Sequence, residues 1–294
     1  MSIHIINMVE NIKVAILLTV FNRKDVTLKG LELLEKAIAK SSAKFDIYMT
    51  DDNSTDDTST SVASLFPDVK ILKGNGSLFW GGGMNMAWKE AVRIKKYDGY
   101  IWFNDDSYLY EDALNELLCP LLKMKDDAII CGAFQDKTKR VTTYGGKLHN
   151  DGEFLKPNGL LQEMKYMNGN FVFIPRNVFE EIGYIDDVFR HSMGDYDYGL
   201  RALKKGFKMY LTKNYVGECE RHDFTIPRCY NKNNSLIMRL KALNYPIGPD
   251  FRTRIIYTYR HKGLFAACIM GVNIIVKTFF PVLYKNNRTL MSTK

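Results

Sequence analysis

Apolar residues in the first third of the chain fall into two alternating patterns. Val14 to Phe21 (VAILLTVF) is an unbroken, β-branched run, the pattern of a strand buried on both faces. Asp25 to Lys40 switches to helical spacing, with Leu28, Leu31, Leu34, Ala37 and Ile38 on one side. A second strand is expected at Phe45–Thr50. It leads into DDNSTDDT (51–58), where Ser54 and Asp57 have capping-box spacing for a helix running through Leu65. Val69 to Leu72 reads as a third strand. The glycine-rich GNGSLFWGGG (74–83) follows, then a helix over Met84–Lys96 and a fourth strand at Tyr100–Phe103.

Strand and helix thus alternate four times, the signature of a parallel sheet with helices on both faces. Ligands of such sheets bind at the carboxyl ends of the strands. The loops at 19–23, 51–56, 74–83 and 104–107 are therefore the places to look for chemistry. Beyond Leu122 the pattern loosens. Strands are expected near 129–134, 141–144 and 171–174, a helix near 196–205, and a break at Pro246 and Pro249.

Charge divides the chain unevenly. From Arg221 onward there are thirteen Lys/Arg and two acids, a net +11, so the first 220 residues carry −3 of the chain's +8. Such a tail favours anionic partners. Within it, Leu264 to Phe280 is mostly apolar but carries Asn273 and Lys277, and it is short for a membrane span. Two readings stay open: an interfacial helix on an anionic membrane surface, or a helix packed on the preceding domain or in a dimer. Five scattered cysteines without a CxxC pair argue for a reducing compartment. The opening MSIHIINMVENIKVAILL lacks a basic n-region and a small-residue cleavage site. The expected location is cytoplasmic; the first of the two readings of the tail would add peripheral attachment to the inner face of the cell membrane.

Asp105 and Asp106 end the fourth strand as Asp51 and Asp52 end the second. A surface turn explains one such pair. Two pairs on one sheet edge repel each other unless donors or a cation compensate, and a divalent cation shared with a substrate phosphate is one resolution. Gly81-Gly82-Gly83 suits either a flexible loop or close approach of a diphosphate to a helix N-terminus. The spacing of 74–83 excludes GxGxxG. Asp195 and Asp197, in MGDYDYGLR, are expected just before a helix, where capping is their plain explanation. Cys219, His222 and Cys229 give too few ligands for a zinc site.

Taken in order, VAILLTVFNR, TDDNSTDD, GNGSLFWGGGMNMAWKEA, WFNDDS, MNGNFVFIPRNVFEEIGYIDD and GDYDYGLRALKKGF resemble the family-2 glycosyltransferases, particularly bacterial rhamnosyltransferase-like members. The resemblance covers roughly 12–225 and implies a GT-A, Rossmann-like α/β fold. It leaves 226–294 as a basic, partly apolar helical extension. It implies that Thr19, Phe21, Asn22, Arg23 and Asp52 hold the nucleotide of a nucleotide-sugar donor. Asn104-Asp105-Asp106 stands in the place of the family's DXD motif, with Asp106 and His222 on a divalent cation (Mg2+ or Mn2+), and Asp195 in the place of the catalytic base. Asn104 departs from the DXD pattern, and Gly194 stands where Glu often precedes the base. The implied activity is inverting sugar transfer to a saccharide or lipid-linked saccharide acceptor in bacterial surface polysaccharide synthesis.

A nucleotidyltransferase, needing Arg23 or Lys24 aimed at a phosphate, and a basic nucleic-acid or membrane binding module are the competing readings. The module gives no reason for acids on the sheet edge and lacks a recognised nucleic-acid motif, so nucleic acid is not an expected partner. Donor sugar, linkage and oligomeric state are left open.

Overall fold

The computed structural model describes residues 12–120, 128–138, 141–221, 226–247 and 250–284. The chain forms two compact units. The first comprises the described residues up to Asp187 together with Gly194–Arg221; the second comprises Val188–Met193 and the described residues from 226 onward.

In the first unit, β1 (Lys13–Val20), β2 (Lys44–Asp51), β3 (Lys70–Lys73) and β4 (Gly99–Phe103) are parallel. Helices α1 (Lys24–Ala39), α2 (Thr58–Leu65) and α3 (Phe79–Ile94) connect them. Short β5 (Tyr108–Leu109) and α4 (Ala113–Leu118) follow. The sheet continues through β6 (Ala128–Gln135), β7 (Thr142–Tyr144), β9 (Gln162–Glu163), β11 (Phe171–Pro175) and β12 (Lys208–Glu218). Its order is β3-β2-β1-β4-β11-β6-β12-β5, with β7 on β6 and β9 on β12. β8 (Gly146–Lys147) and β10 (Tyr166–Met167) form a separate antiparallel pair. α5 (Arg176–Ile182) and α6 (Gly194–Lys204) complete the unit. The architecture is the mostly parallel α/β class that the alternation predicts.

Strand β1 shows why the sheet forms. Val14, Ile16, Leu18 and Val20 meet Leu31 and Leu34 in one core cluster, as period-two alternation requires. The opposite layer is aromatic: Trp88 lies 5.8 Å from Trp102 and from Tyr198 and 5.0 Å from Phe179. β11 runs antiparallel between β4 and β6, pairing Val172 with Trp102 and with Cys131. That insertion carries residues 168–170 to the end of β4.

Four local expectations need correcting. Ser54 does not cap α2. The cap is Asp57, in a left-handed conformation and without a side-chain capping bond. The Ser54 hydroxyl instead accepts the Asn22 amide, and its own amide is held by Asp51, so tertiary contacts have claimed the capping group. Gly81–Gly83 lie inside α3, which begins at Phe79, and are not a loop before it. Asp195 and Asp197 stand in the first turn of α6, one or more residues past its start. Strand β1 also ends at Val20, leaving Phe21 half exposed.

The second unit contains α7 (Leu236–Ala242), α8 (Phe251–Lys262) and α9 (Leu264–Phe279). Gly263, at a φ of 87°, is the whole connection between α8 and α9. Among the described residues no helix is long and apolar enough to cross a membrane. All five cysteines are free thiols.

Candidate active site

The carboxyl ends of β1, β2 and β4 bring the acidic pairs to one edge, and donors from the protein meet most of their oxygens. Arg23, just before α1, lies 3.3 Å from Asp105 Oδ1 and 2.9 Å from Asp106 Oδ2. Thr27, a turn along α1, donates its hydroxyl to Asp105 Oδ2 at 2.7 Å. This close seating depends on Gly30, where a Cβ would come within 2.1 Å of the Asp105 carbonyl oxygen. Burial pushes the Asp105 carboxyl above its ordinary range, and Arg23 and Thr27 offset that only in part. For Arg23, burial works downward, yet the two carboxylates outweigh it and raise the guanidinium. Asp106 is the more accessible of the pair.

The second acidic pair organises the glycine-rich segment. Asp52 is buried and accepts the amides of Gly76 on Oδ1 and of Leu78 and Phe79 on Oδ2. Asp51 accepts from Ser54 and from the Ser59 hydroxyl. Both acids therefore anchor loop backbone, a role the sequence reading did not anticipate. Phe79 takes a φ of 56°, a left-handed conformation that is costly for an aromatic residue. Thr19 sits beneath α3 at Gly83, where a Cβ would fall 2.0 Å from its hydroxyl. Asn22 is exposed, and its side-chain oxygen accepts the Thr55 amide.

Trp80 was not among the residues singled out in the sequence. Its indole N–H donates to Asn104 Oδ1 at 2.8 Å, and its ring packs 5.5 Å from Trp102. Beneath it, Gly169 leaves so little room that a Cβ would lie 2.6 Å from the indole. The Asn104 amide is tied to the Asn170 carbonyl at 2.8 Å. The available signal was an aromatic residue between glycines in a strand-end loop.

Asp195 closes the arrangement. Its Oδ2 accepts the Gly169 amide at 3.1 Å and its Oδ1 the Tyr196 amide at 2.8 Å. Desolvation raises its pKa to about 6, against the downward pull of these amides and of the Asn168 side chain. Asn168 Oδ1 is buried and has no donor among the described residues. Asp197, two residues on, is wholly buried and pairs with Arg201 at 2.8 Å, a structural role. Cys219 neighbours Asp106, and burial pushes its thiol up to about 12, so it stays protonated. His222 lies outside the described residues. Among the described residues, no three His, Cys, Asp or Glu gather as a metal centre.

The site thus has an anionic lip with a paired guanidinium, an amide-lined loop, an aromatic wall and a half-buried carboxylate of raised pKa. That combination fits group transfer between a phosphorylated donor and a hydroxyl. The family model described as "Glycosyl transferase family 2" matches residues 15–183, more than half the chain, and the chain belongs to that family.

Among curated proteins none matches the chain. Solved structures show the same fold at low identity. A mannosyltransferase, PcManGT from Pyrobaculum calidifontis, solved with GDP-Man and Mn2+, is 14% identical, with a TM-score of 0.54 over 95% of this chain and 83% of that one. S. aureus TarS 1–349 is 13% identical, with a TM-score of 0.55 over 92% of this chain and 81% of that one. The same TarS segment with UDP-GlcNAc gives 13% identity and 0.53, over 92% and 82%.

Proposed function

We propose that the protein is an inverting glycosyltransferase taking a sugar from a nucleotide-diphosphate donor. The acceptor is the hydroxyl of a saccharide or lipid-linked saccharide, in bacterial surface polysaccharide synthesis. The observation that carries the reading is Asp195, a half-buried carboxylate with a pKa of about 6, fixed by two amides beside the aromatic wall. A general base works best when its pKa lies near the working pH.

In this reading Asp195 removes the acceptor hydroxyl's proton as that oxygen bonds to the anomeric carbon. The carbon's bond to the diphosphate oxygen breaks, and the nucleoside diphosphate leaves with the electron pair. One displacement inverts the centre through an oxocarbenium-like state. Asn168 supports the acceptor side: its amide oxygen lacks a donor, which an acceptor hydroxyl would provide. Thr19, Phe21, Asn22, Arg23 and Asp52 would frame the nucleotide. Asn104 would face the donor with its amide oriented by Trp80.

The residues present fit a divalent cation, Mg2+ or Mn2+, under one condition. Arg23 and Thr27 already satisfy Asp105, and Arg23 also pairs with Asp106 at 2.9 Å, so Asp106, the more accessible carboxylate, must share that contact with the ion, with His222 as the further ligand the resemblance implies. Ions such as Mg2+ are commonly held by one or two carboxylates plus substrate phosphates. When bound, such an ion supplies Lewis-acid neutralisation of charge on the departing diphosphate. A nucleotidyltransferase is disfavoured because Arg23 is engaged by two carboxylates.

The test is thermal stability against nucleotides and nucleotide-sugars, with Mg2+, Mn2+ or chelator. A ligand bound only by the folded state raises the midpoint. One diphosphonucleotide should do so with metal, and not in Asp106→Ala. If folded protein responds to none of them, the reading is lost.

A further inference from the structure

Helix α9 is apolar on two opposite sides, and only one is covered by the described residues. Ala267, Gly271, Ile274 and Thr278 are buried, at steps of four, three and four. They form the face toward α8: a Cβ on Gly271 would meet Ile255 at 3.2 Å. On the other side Phe265, Ile269, Val272, Ile275, Val276 and Phe279 make a second stripe at helical spacing, all exposed. Phe265 is 81% exposed and Val272 62%. Isolated surface hydrophobics need no explanation, but a continuous ridge along a whole helix does.

Charge selects the occupant. Residues 226–294 carry twelve Lys/Arg against one acid, Asp250. That acid caps α8 through the Thr253 amide. Lys262 and Lys277 stand near the two ends of the ridge. A second copy of this segment would bring equal positive charge against it, whereas an anionic bilayer answers both the charge and the apolar stripe. At 16 residues α9 is about 24 Å long, short of the ~30 Å hydrocarbon core, so it suits lying in the interface and not crossing it.

We propose that the exposed ridge of α9 inserts into the interface of an anionic phospholipid surface, with the surrounding Lys and Arg drawn to the headgroups. Neither contribution suffices alone, since reversible membrane binding of this kind needs both apolar burial and electrostatic attraction. The inference does not rest on the proposed catalytic chemistry.

The experiment is co-sedimentation of the full chain with phosphatidylcholine vesicles, with and without about 30% phosphatidylglycerol, at low salt and at about 0.5 M salt. Its oligomeric state is measured alongside by sedimentation velocity. Binding should need the anionic lipid, weaken with salt, and fall about tenfold or more in Phe265→Asp/Val272→Asp. The charge variant Lys262→Glu/Lys277→Glu, which leaves the apolar ridge intact, should weaken it as well. Circular dichroism checks that each variant is folded. The proposal is overturned if the folded chain ignores anionic vesicles. It is equally overturned if the chain is a dimer that the ridge variant converts to monomer, since the ridge then belongs to a second copy.

Discussion

The Arg23 guanidinium lies 3.3 Å from Oδ1 of Asp105, a carboxylate only 1% exposed. Removing one partner of a buried pair leaves an uncompensated charge, which typically costs more than the pair itself contributes. Arg23→Met should therefore destabilise the fold by about 2–3 kcal/mol, at the lower end because Arg23 is a third exposed. Urea unfolding measures this. Adding Asp105→Asn should recover part of the loss. The single variant's deficit should also shrink as pH falls and Asp105 takes up a proton. A deficit equal at all pH values would contradict the pairing.

Asp195→Asn should reduce kcat by about 10²–10⁴-fold while donor-induced thermal shifts persist. In the parent enzyme, activity should rise with pH through about 6 as Asp195 loses its proton. Stability moves the other way. The folded pKa lies above the unfolded value of 3.8, so the folded state holds the proton more tightly. Stability is then lost as pH climbs from about 4 to about 6, by at most about 3 kcal/mol. Above pH 6, Asp195→Asn should unfold no earlier than the parent. A lower midpoint there would show that the amides need the charge.

Trp80→Phe removes the N–H that orients Asn104 but keeps an aromatic ring near Gly169. One hydrogen bond of about 1–1.5 kcal/mol corresponds to about a tenfold fall in kcat/KM. The melting midpoint should move only a few degrees. A variant with unchanged kinetics would remove Asn104 orientation from the account.

Two neighbouring glycines in α3 should respond unequally to alanine. At Gly83 the new Cβ would stand 2.0 Å from the Thr19 hydroxyl, so Gly83→Ala should cost about 1–3 kcal/mol. At Gly82 the nearest atom is Leu78 Cβ, at 3.2 Å, and the better helix former should leave stability within about 1 kcal/mol of the parent. Chemical denaturation of both variants compares them directly.

The first four strands and their helices were legible because β1 and β4 are buried on both faces and run as continuous apolar segments, with amphipathic helices between the strands. The helix start at Phe79 was not, because three glycines read as loop while Asp52 and the Thr19–Gly83 contact fix that turn from outside the segment. Which acids the protein compensates with its own donors was equally hidden. Arg23 and Thr27 meet Asp105 across 82 and 78 positions of sequence, and no local pattern encodes such a pairing. Trp80 was passed over for a similar reason: its partner, Asn104, follows β4, which β2 and β1 separate from β3 in the sheet. The placement of Val188–Met193 with the second unit left no mark in composition or spacing.

Strand β11 leaves and re-enters the same sheet as β6, with its register pinned on both sides by Trp102 and Cys131. The chain between them, apart from the short β7 and β9 that pair with the same sheet, can therefore change length and content while Asn170 stays bonded to Asn104. Under the proposed reading, exchanging that excursion as a cassette would change the acceptor. A graft spliced at its two strand boundaries would recast that excursion while leaving Asp195 on α6 in place.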